Sequence, residues 1–167
     1  MNIFYLDHEP IVAAKQLPDK HIVKMPIEGV QMLVSVLQRY DILHEVNTKA
    51  GTRHKGGYPN HPCTRWAGDS RANFMWLWHW TMALCKEYTF RYHKHHCAEK
   101  QLLTVLRYVH DIPEGDLTEA PQAMPDECKV EGDVVTAYRN CINLKVKEKP
   151  KSFVWNKGRP APDWIVS

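Results

Sequence analysis

Long hydrophobic runs are absent from this sequence. Its apolar stretches are interrupted by charge or proline well before the roughly 20 residues that a membrane-spanning helix requires, so we expect no membrane span. Residues 1–7, Met-Asn-Ile-Phe-Tyr-Leu-Asp, lack the basic start and apolar middle of a secretory signal peptide. We therefore expect a soluble protein that works in the cytoplasm.

Closely spaced cysteines are lacking too. The five cysteines are an odd number and include no Cys-x-x-Cys pair, a pattern that argues against a disulfide framework. Residues 93–97, His-Lys-His-His-Cys, would suit zinc, but zinc sites usually take paired ligands from two separate segments and no second pair is evident. We interpret this cluster as a basic helix end, and we expect neither a metal nor another cofactor.

Glycine-rich catalytic motifs are also missing. The 167 residues include eight glycines but neither a phosphate-binding loop nor a Gly-x-Ser-x-Gly elbow, which argues against P-loop and α/β-hydrolase chemistry. Hydrophobic residues make up 44% and charged residues 25% of the chain, the balance of an ordinary globular protein. The length fits one domain over residues 1–167.

The strongest pattern in the sequence is the helical periodicity of its apolar residues. Over Lys20–His44 the apolar residues recur at three- and four-residue intervals, which predicts one long amphipathic helix. The Asp19 carboxylate is expected to cap its N-terminus, and Pro26 predicts a kink near Met25.

Residues that cap or break helices predict the positions of the other helices and of the loops. Residues 47–62 and the acidic segment that ends at Asp133 read as loops, and the tail after Pro150 is irregular. That tail is expected to dock on the helices, because it contains Phe153, Trp155 and Trp164. The predicted fold is mostly α, a single compact helical domain with long loops and a docked irregular C-terminal tail. The remaining predicted helices are Pro10 to Gln16, a tryptophan-rich helix capped by Asp69 or Ser70, Glu99 to His110, and a last helix capped by Asp133.

Charge is segregated along the chain. The formal net charge is +3, yet residues 113–137 carry one basic against seven acidic residues, and residues 138–167 carry seven against two. Aromatic residues lie beside basic ones in Arg65-Trp66, Arg91-Tyr92 and Tyr138-Arg139, a combination that suits stacking and phosphate contacts with nucleic acid. Ordinary solvated faces would give the same pattern, so both interpretations stay open.

A polar set of side chains lies on the first long helix. His21, Lys24, Glu28 and Gln31 are spaced by three or four residues and share one face of a helix that starts at Asp19. A set of surface salt bridges, worth under about 1 kcal/mol, would look the same. The other interpretation is a functional site.

The spacing of this set resembles a known family. Asp19-Lys20-His21, followed seven residues later by Glu28, is similar to the Asp-x-His-x6-Glu stretch near the start of the phage pyrimidine-dimer DNA glycosylases, also called the endonuclease V type. The resemblance implies a compact helical fold with a catalytic glutamate on the first long helix. Nearly the whole chain also resembles a set of uncharacterised phage proteins, which would act in the host cytoplasm. The motifs shared with that set lie at Asp19 to Met25, His61 to Trp66, Asn73 to Leu77, Glu87 to Tyr92 and Pro121 to Glu127.

The family resemblance also implies a chemistry. An amine attacks the deoxyribose C1′, the damaged base leaves, and the strand is cleaved through a Schiff base. Glu28 would stabilise the oxocarbenium-like transition state and shuttle protons, while His21 would orient the phosphate or sugar. The family's nucleophile is the α-amine, which here would belong to Met1, because bulky Asn2 should prevent removal of the methionine.

The sequence departs from the family pattern beside the glutamate. Ile27 stands where the family has an arginine. Lys20 or Lys24 would offer a substitute amine, although a solvated lysine is mostly protonated and therefore a poor nucleophile.

A second group of candidates combines aromatic and polar residues: His61, Trp66, Ser70, Asn73 and Arg91. Trp66, Ser70 and Asn73 recur at helical intervals in a stripe that faces inward. One interpretation is an internal hydrogen-bond network that locks the two long helices together. In the other, Ser70 and Asn73 read a base or nucleotide edge while Trp66 stacks on it.

Three functional hypotheses result. The leading one is a DNA-acting enzyme, a pyrimidine-dimer-type DNA glycosylase with AP-lyase activity. The second is a non-catalytic phage protein that binds a nucleotide or a host factor in an interhelical pocket. The third is a structural protein whose aromatic helix only forms core. In the leading hypothesis the residues that contact DNA or a nucleotide are Asp19, Lys20, Lys24, Gln31, His61, Arg65, Trp66, Ser70, Asn73, Arg91 and Arg139.

Overall fold

The computed structural model describes residues 1–166 and is mostly helical, which confirms the predicted fold class. Two short 3-10 turns, Val109–Asp111 and Asp126–Cys128, accompany the α-helices. Residues 1–166 contain no strand, only an isolated bridge between Asn47 and Arg53. The α-helices are α1 (Pro10–Lys15), α2 (Asp19–Arg39), α3 (Pro62–Asp69), α4 (Arg71–Tyr92), α5 (Ala98–Leu106) and α6 (Val134–Glu148).

The long helices α2 and α4 pack directly on each other. They approach each other tightly at Gly29, where an added Cβ would lie 2.3 Å from Thr81 Oγ1 and 2.6 Å from Thr81 Cγ2. The Thr81 hydroxyl donates to the Leu77 carbonyl of its own helix at 2.7 Å, which turns the side chain back along α4. The absence of a side chain at Gly29 therefore sets the spacing of the two helices beside Glu28.

Helix α4 is buried on most of its circumference. Trp76, Trp78 and Trp80 all lie inside it and are at most 9% exposed. Tryptophan at every second position is typical of a strand. A helix that is surrounded by other elements, however, buries residues on all of its faces, so every second residue can also be buried in a helix. The prediction of a helix here is confirmed.

Several predicted helix boundaries were wrong. Helix α2 ends at Arg39, five residues before His44, because the chain turns through Asp41 with a left-handed φ of 53°. Asp19 is the first helical residue and makes no capping hydrogen bond, since its carboxylate is used elsewhere. Helix α5 ends at Leu106 and is followed by a 3-10 turn rather than continuing to His110.

The predicted caps of the later helices are confirmed. The Ser70 hydroxyl accepts from the Asn73 backbone N–H at 3.1 Å, and the Asp133 carboxylate accepts from Thr136 N at 2.9 Å. Ser70 has an extended backbone, with φ −153° and ψ 157°, and so separates α3 from α4. The sequence analysis did not predict α3.

The C-terminal tail docks on the helices, as predicted. Phe153 is buried, while the Trp155 and Trp164 indole N–H groups donate to the carbonyl and side-chain oxygens of Gln16 at 3.0 and 3.1 Å. The Asp19 backbone N–H donates to the Val154 carbonyl at 2.9 Å. The tail therefore lies against the start of α2.

Thiols and metal ligands are dispersed. Cys97 is exposed, and the other four cysteines are buried free thiols. Over residues 1–166, no group of three or more His, Cys, Asp or Glu side chains is arranged to hold a metal ion. Within the same residues, no helix combines the length and apolar character needed to cross a bilayer.

Candidate active site

The carboxylate of Glu28 lies against two amines. Its Oε2 is 3.3 Å from the α-amine of Met1, and its Oε1 is 2.9 Å from Lys24 Nζ, one turn away on α2. Among the described residues Oε2 makes no hydrogen bond, so the amine meets it as an ionic contact. Glu28 is 8% exposed, and in this setting a carboxylate interacts with a neighbouring charge more strongly than in water.

The first residues of the chain are anchored so that the amine reaches Glu28. The Asn2 side chain donates to the Ala123 carbonyl at 2.8 Å and accepts from Ile3 N at 2.8 Å. Phe4 adopts a left-handed φ of 41°, and its carbonyl accepts from Leu6 N at 2.7 Å. Because residues 3–6 are buried, the apolar core holds the amine in place.

His21 is a buried, neutral imidazole beside this pair. Burial, together with the positive charges of Lys20 and Lys24, lowers its pKa to about 3. Its ring meets Phe4 edge-on with centroids 4.8 Å apart and lies 5.3 Å from the Phe153 ring. Nδ1 is buried and has no hydrogen-bond partner within residues 1–166.

These groups line one cavity of about 440 Å³. Its other wall comes from α6 and the tail, which contribute Lys145, Glu148, Lys149 and Phe153. Lys20 Nζ lies 3.8 Å from the centroid of the Phe153 ring, a cation–π contact. The cavity therefore combines one amine–carboxylate pair with a rim rich in lysine.

Asp19 and Arg91 bind each other rather than lining the cavity. Arg91 Nη1 donates to Asp19 Oδ1 at 3.0 Å and to the Leu17 carbonyl at 2.8 Å, and Asp19 Oδ2 accepts from Asn156 N at 2.7 Å. Both residues are under 9% exposed. Because their polar atoms already have internal partners, Asp19 and Arg91 stabilise the structure around the site.

The second predicted group is likewise internally satisfied. The Asn73 amide donates to the Trp66 carbonyl at 2.9 Å and to Thr118 Oγ1 at 2.8 Å, and accepts from Thr118 N at 2.9 Å. The Ser70 hydroxyl donates to the Asp116 carbonyl at 2.8 Å. This geometry favours the internal network, although it joins α3 and α4 to the acidic loop and not the two long helices to each other.

The remaining candidates lie at the edge of the site or away from it. His61 Nδ1 accepts from Cys63 N at 3.2 Å at the start of α3. Burial and the charge of the α-amine lower the pKa of His61, whereas the charge of Glu28 raises it. Gln31 is partly exposed on α2. Arg65 is exposed, and Arg139 Nε donates to the Leu6 carbonyl at 3.1 Å.

Sequence reasoning missed the wall formed by α6 and the tail. Lys145 lies in the last turn of α6 and Lys149 directly follows the helix. The surplus of basic residues after residue 138 was the available signal. Nothing local connects that segment to α2. The contact depends on tertiary packing alone.

The fold and cavity define a helical protein whose first long helix presents a buried carboxylate to an α-amine. A family model described as pyrimidine dimer DNA glycosylase matches residues 1–101, and the chain belongs to that family. The matched segment includes Met1, His21 and Glu28, whereas the wall from α6 and the tail lies outside it. No curated protein and no solved structure matches the chain.

Proposed function

We propose that this protein is a DNA glycosylase that removes damaged pyrimidines and then cleaves the strand as an AP lyase. The observation that carries the proposal is the 3.3 Å contact between the Met1 α-amine and Glu28 in a lysine-lined cavity. Family membership supports DNA as the partner.

The proposed reaction begins with proton transfer from the α-amine to Glu28. The neutral nitrogen then attacks C1′ of the damaged nucleotide, the bond from C1′ to the base breaks, and the base leaves with a proton. Opening of the sugar ring gives a Schiff base. Loss of a C2′ proton then breaks the bond from C3′ to the phosphate oxygen, and water releases the product. In each proton transfer Glu28 is the nearest carboxylate to the amine.

The lysines hold the DNA backbone in this proposal. Lys20, Lys24, Lys145 and Lys149 all line the cavity, and lysines in such a cluster attract phosphates. Lys24 Nζ is 2.9 Å from Glu28 Oε1 and its side chain is 69% exposed, so it can contact a phosphate at the rim of the cavity. The α-amine, which is deprotonated more easily than a lysine side chain in general, is therefore the proposed nucleophile.

Borohydride trapping on a duplex that contains an abasic site tests the lyase step. We expect a covalent adduct on the N-terminal peptide, located by mass spectrometry. An adduct on Lys20 or Lys24 would reassign the nucleophile, and the absence of any adduct would contradict the lyase step.

Glu28→Gln separates catalysis from binding. The amide keeps the size of the side chain but accepts no proton, so turnover should fall by about a hundredfold or more while the variant still binds lesion-containing duplex. The matched control is Glu45→Gln, since Glu45 is an exposed partner of Arg107 away from the cavity. Equal turnover by the E28Q variant and the wild type would contradict the catalytic role of Glu28, and DNA binding without turnover by the wild type would favour a binding protein.

A further inference from the structure

The solvent face of α2 alternates cationic and apolar side chains up to the site. Between residues 20 and 31 its exposed or partly exposed positions are Lys20, Val23, Lys24, Ile27 and Gln31. Val23 and Ile27 are 42% and 44% exposed, and Ile27 immediately precedes Glu28. From residue 32 to residue 37 the helix is buried.

The segment 54–60, here called the glycine loop, packs on α2 just beyond this open face. Ser35 Oγ donates to the Gly57 carbonyl at 3.0 Å and accepts from Gly57 N at 2.8 Å. The Gly56 N–H donates to His54 Nδ1 at 3.0 Å. At Gly56, which has φ +67°, an added Cβ would lie 2.4 Å from Ser35 Oγ. The loop is therefore fixed tightly to the helix.

Tyr58 projects from this fixed loop. It is 63% exposed and has a left-handed φ of 55°, which is uncommon for a bulky residue. Its hydroxyl makes no hydrogen bond within residues 1–166. The Tyr58 carbonyl accepts from His61 N at 3.1 Å. Its neighbour Gly57 packs on α2, where an added Cβ would lie 3.3 Å from the Gln31 side chain, and Gln31 follows Glu28 by about one helical turn. The glycine loop thus carries an exposed aromatic residue about one turn of α2 beyond Glu28, which lines the cavity.

We propose that Tyr58, assisted by Ile27, is a wedge that enters the base stack of duplex DNA next to the damaged nucleotide. This inference rests on the proposed glycosylase function. The C1′ atom of a nucleotide in an intact stack is inaccessible to a buried amine, so the base stack must open at the lesion. Apolar side chains inserted between base steps unstack and kink a duplex in this way.

The charges around Tyr58 fit DNA as the occupant of this surface. Arg53 and Lys55 are exposed near the start of the glycine loop, and Lys20 and Lys24 flank Val23 on the open face of α2. Cations on both sides of an apolar projection match phosphates on both sides of a base step.

The test compares Tyr58→Ala on two forms of one probe, a thymine dimer in duplex DNA and the same dimer in a single strand. We expect kcat/KM to fall about tenfold or more on the duplex, where unstacking is needed, and to change by less than about twofold on the single strand. Tyr58→Phe keeps the ring and should behave as wild type. Leu43→Ala, at a position that is 77% exposed and away from the cavity lining, is the matched control.

A second measurement follows unstacking without turnover. In the Glu28→Gln background, 2-aminopurine placed beside the dimer should become fluorescent on binding, and addition of Tyr58→Ala should abolish that signal. Equal loss of activity on both DNA forms, or no loss on the duplex, would overturn the wedge. If the wild type cleaves neither form while the Tyr58-dependent fluorescence remains, the glycosylase proposal fails and the wedge stands. If both cleavage and fluorescence are absent, both proposals fail.

Discussion

Arg159 binds both carboxylate oxygens of Glu87, with Nε 2.7 Å from Oε1 and Nη2 3.0 Å from Oε2. Arg91 Nε donates to the same Oε1 at 2.8 Å and Arg91 Nη1 continues to Asp19. Burial alone would raise the pKa of Glu87, but the hydrogen bonds from Arg159 and Arg91 lower it. A chain of charged groups thus connects the tail through α4 to the first residue of α2, two residues before His21.

Removal of Arg159 should loosen the tail. Arg159→Ala deletes two charge-assisted hydrogen bonds while Arg91 still pairs with Glu87, so we expect a loss of about 2 kcal/mol in the free energy of unfolding, measured with urea. Arg107→Ala, which removes an exposed pair with Glu45, should cost under about 1 kcal/mol. Similar losses for the two variants would contradict the structural role of Arg159.

Asn73 distinguishes an internal network from a base-reading group. Asn73→Ala leaves the Trp66 carbonyl and Thr118 without their partner, and we expect about 2 kcal/mol or more of destabilisation in urea with unchanged DNA affinity under conditions where the variant is folded. Asn140→Ala, at an exposed position, is the control and should have little effect on stability. Weakened DNA binding by a fully folded Asn73→Ala protein would support base reading instead.

His21 should make the free energy of unfolding depend on pH. Its pKa is about 3 in the folded protein and near 6.5, the ordinary value for histidine, when unfolded, so between these values the unfolded chain binds more protons. Stability should therefore fall as the pH drops from 6.5 toward 3, by up to about 1.4 kcal/mol per pH unit from this group. The lowered pKa values of His44, His54 and His96, each caused mainly by burial, act in the same direction.

A variant isolates the contribution of His21. Urea unfolding of His21→Phe at several pH values should show a shallower slope than that of wild type, because one buried imidazole no longer has to take up a proton. His79→Phe, which changes an exposed histidine, should keep the wild-type slope. Parallel curves for wild type and His21→Phe would contradict a buried neutral imidazole.

The parts of the site that lie on one helix were predictable from sequence. Lys24 and Glu28 are one turn apart, and helical geometry alone brings them together. The contact between the α-amine and Glu28 was implied by family resemblance, and its path depends on Asn2, whose partner Ala123 is 121 residues away. No periodicity in the sequence reports such a contact.

The wrong predictions also arise from contacts between residues that are distant in the sequence. Asp19 has the residue type and position of an N-cap, yet the buried guanidinium of Arg91 competes for its carboxylate. A cap bond contributes about 1 kcal/mol, whereas a buried arginine without its partner costs several. Ser70 was correctly predicted as a cap, but the periodicity through Trp66 and Asn73 concealed the break that it makes between α3 and α4.

The main chain of α2 packs directly on Thr81 at Gly29, and this packing fixes the position of the neighbouring Glu28 carboxylate. A single methyl group at residue 29 would meet the β-branched side chain of another helix, so any relief would have to displace the segment that carries Glu28. The packing of α2 against α4 and the position of the proposed catalytic carboxylate therefore depend on two consecutive residues, and a side chain at residue 29 is expected to lower turnover by displacing Glu28.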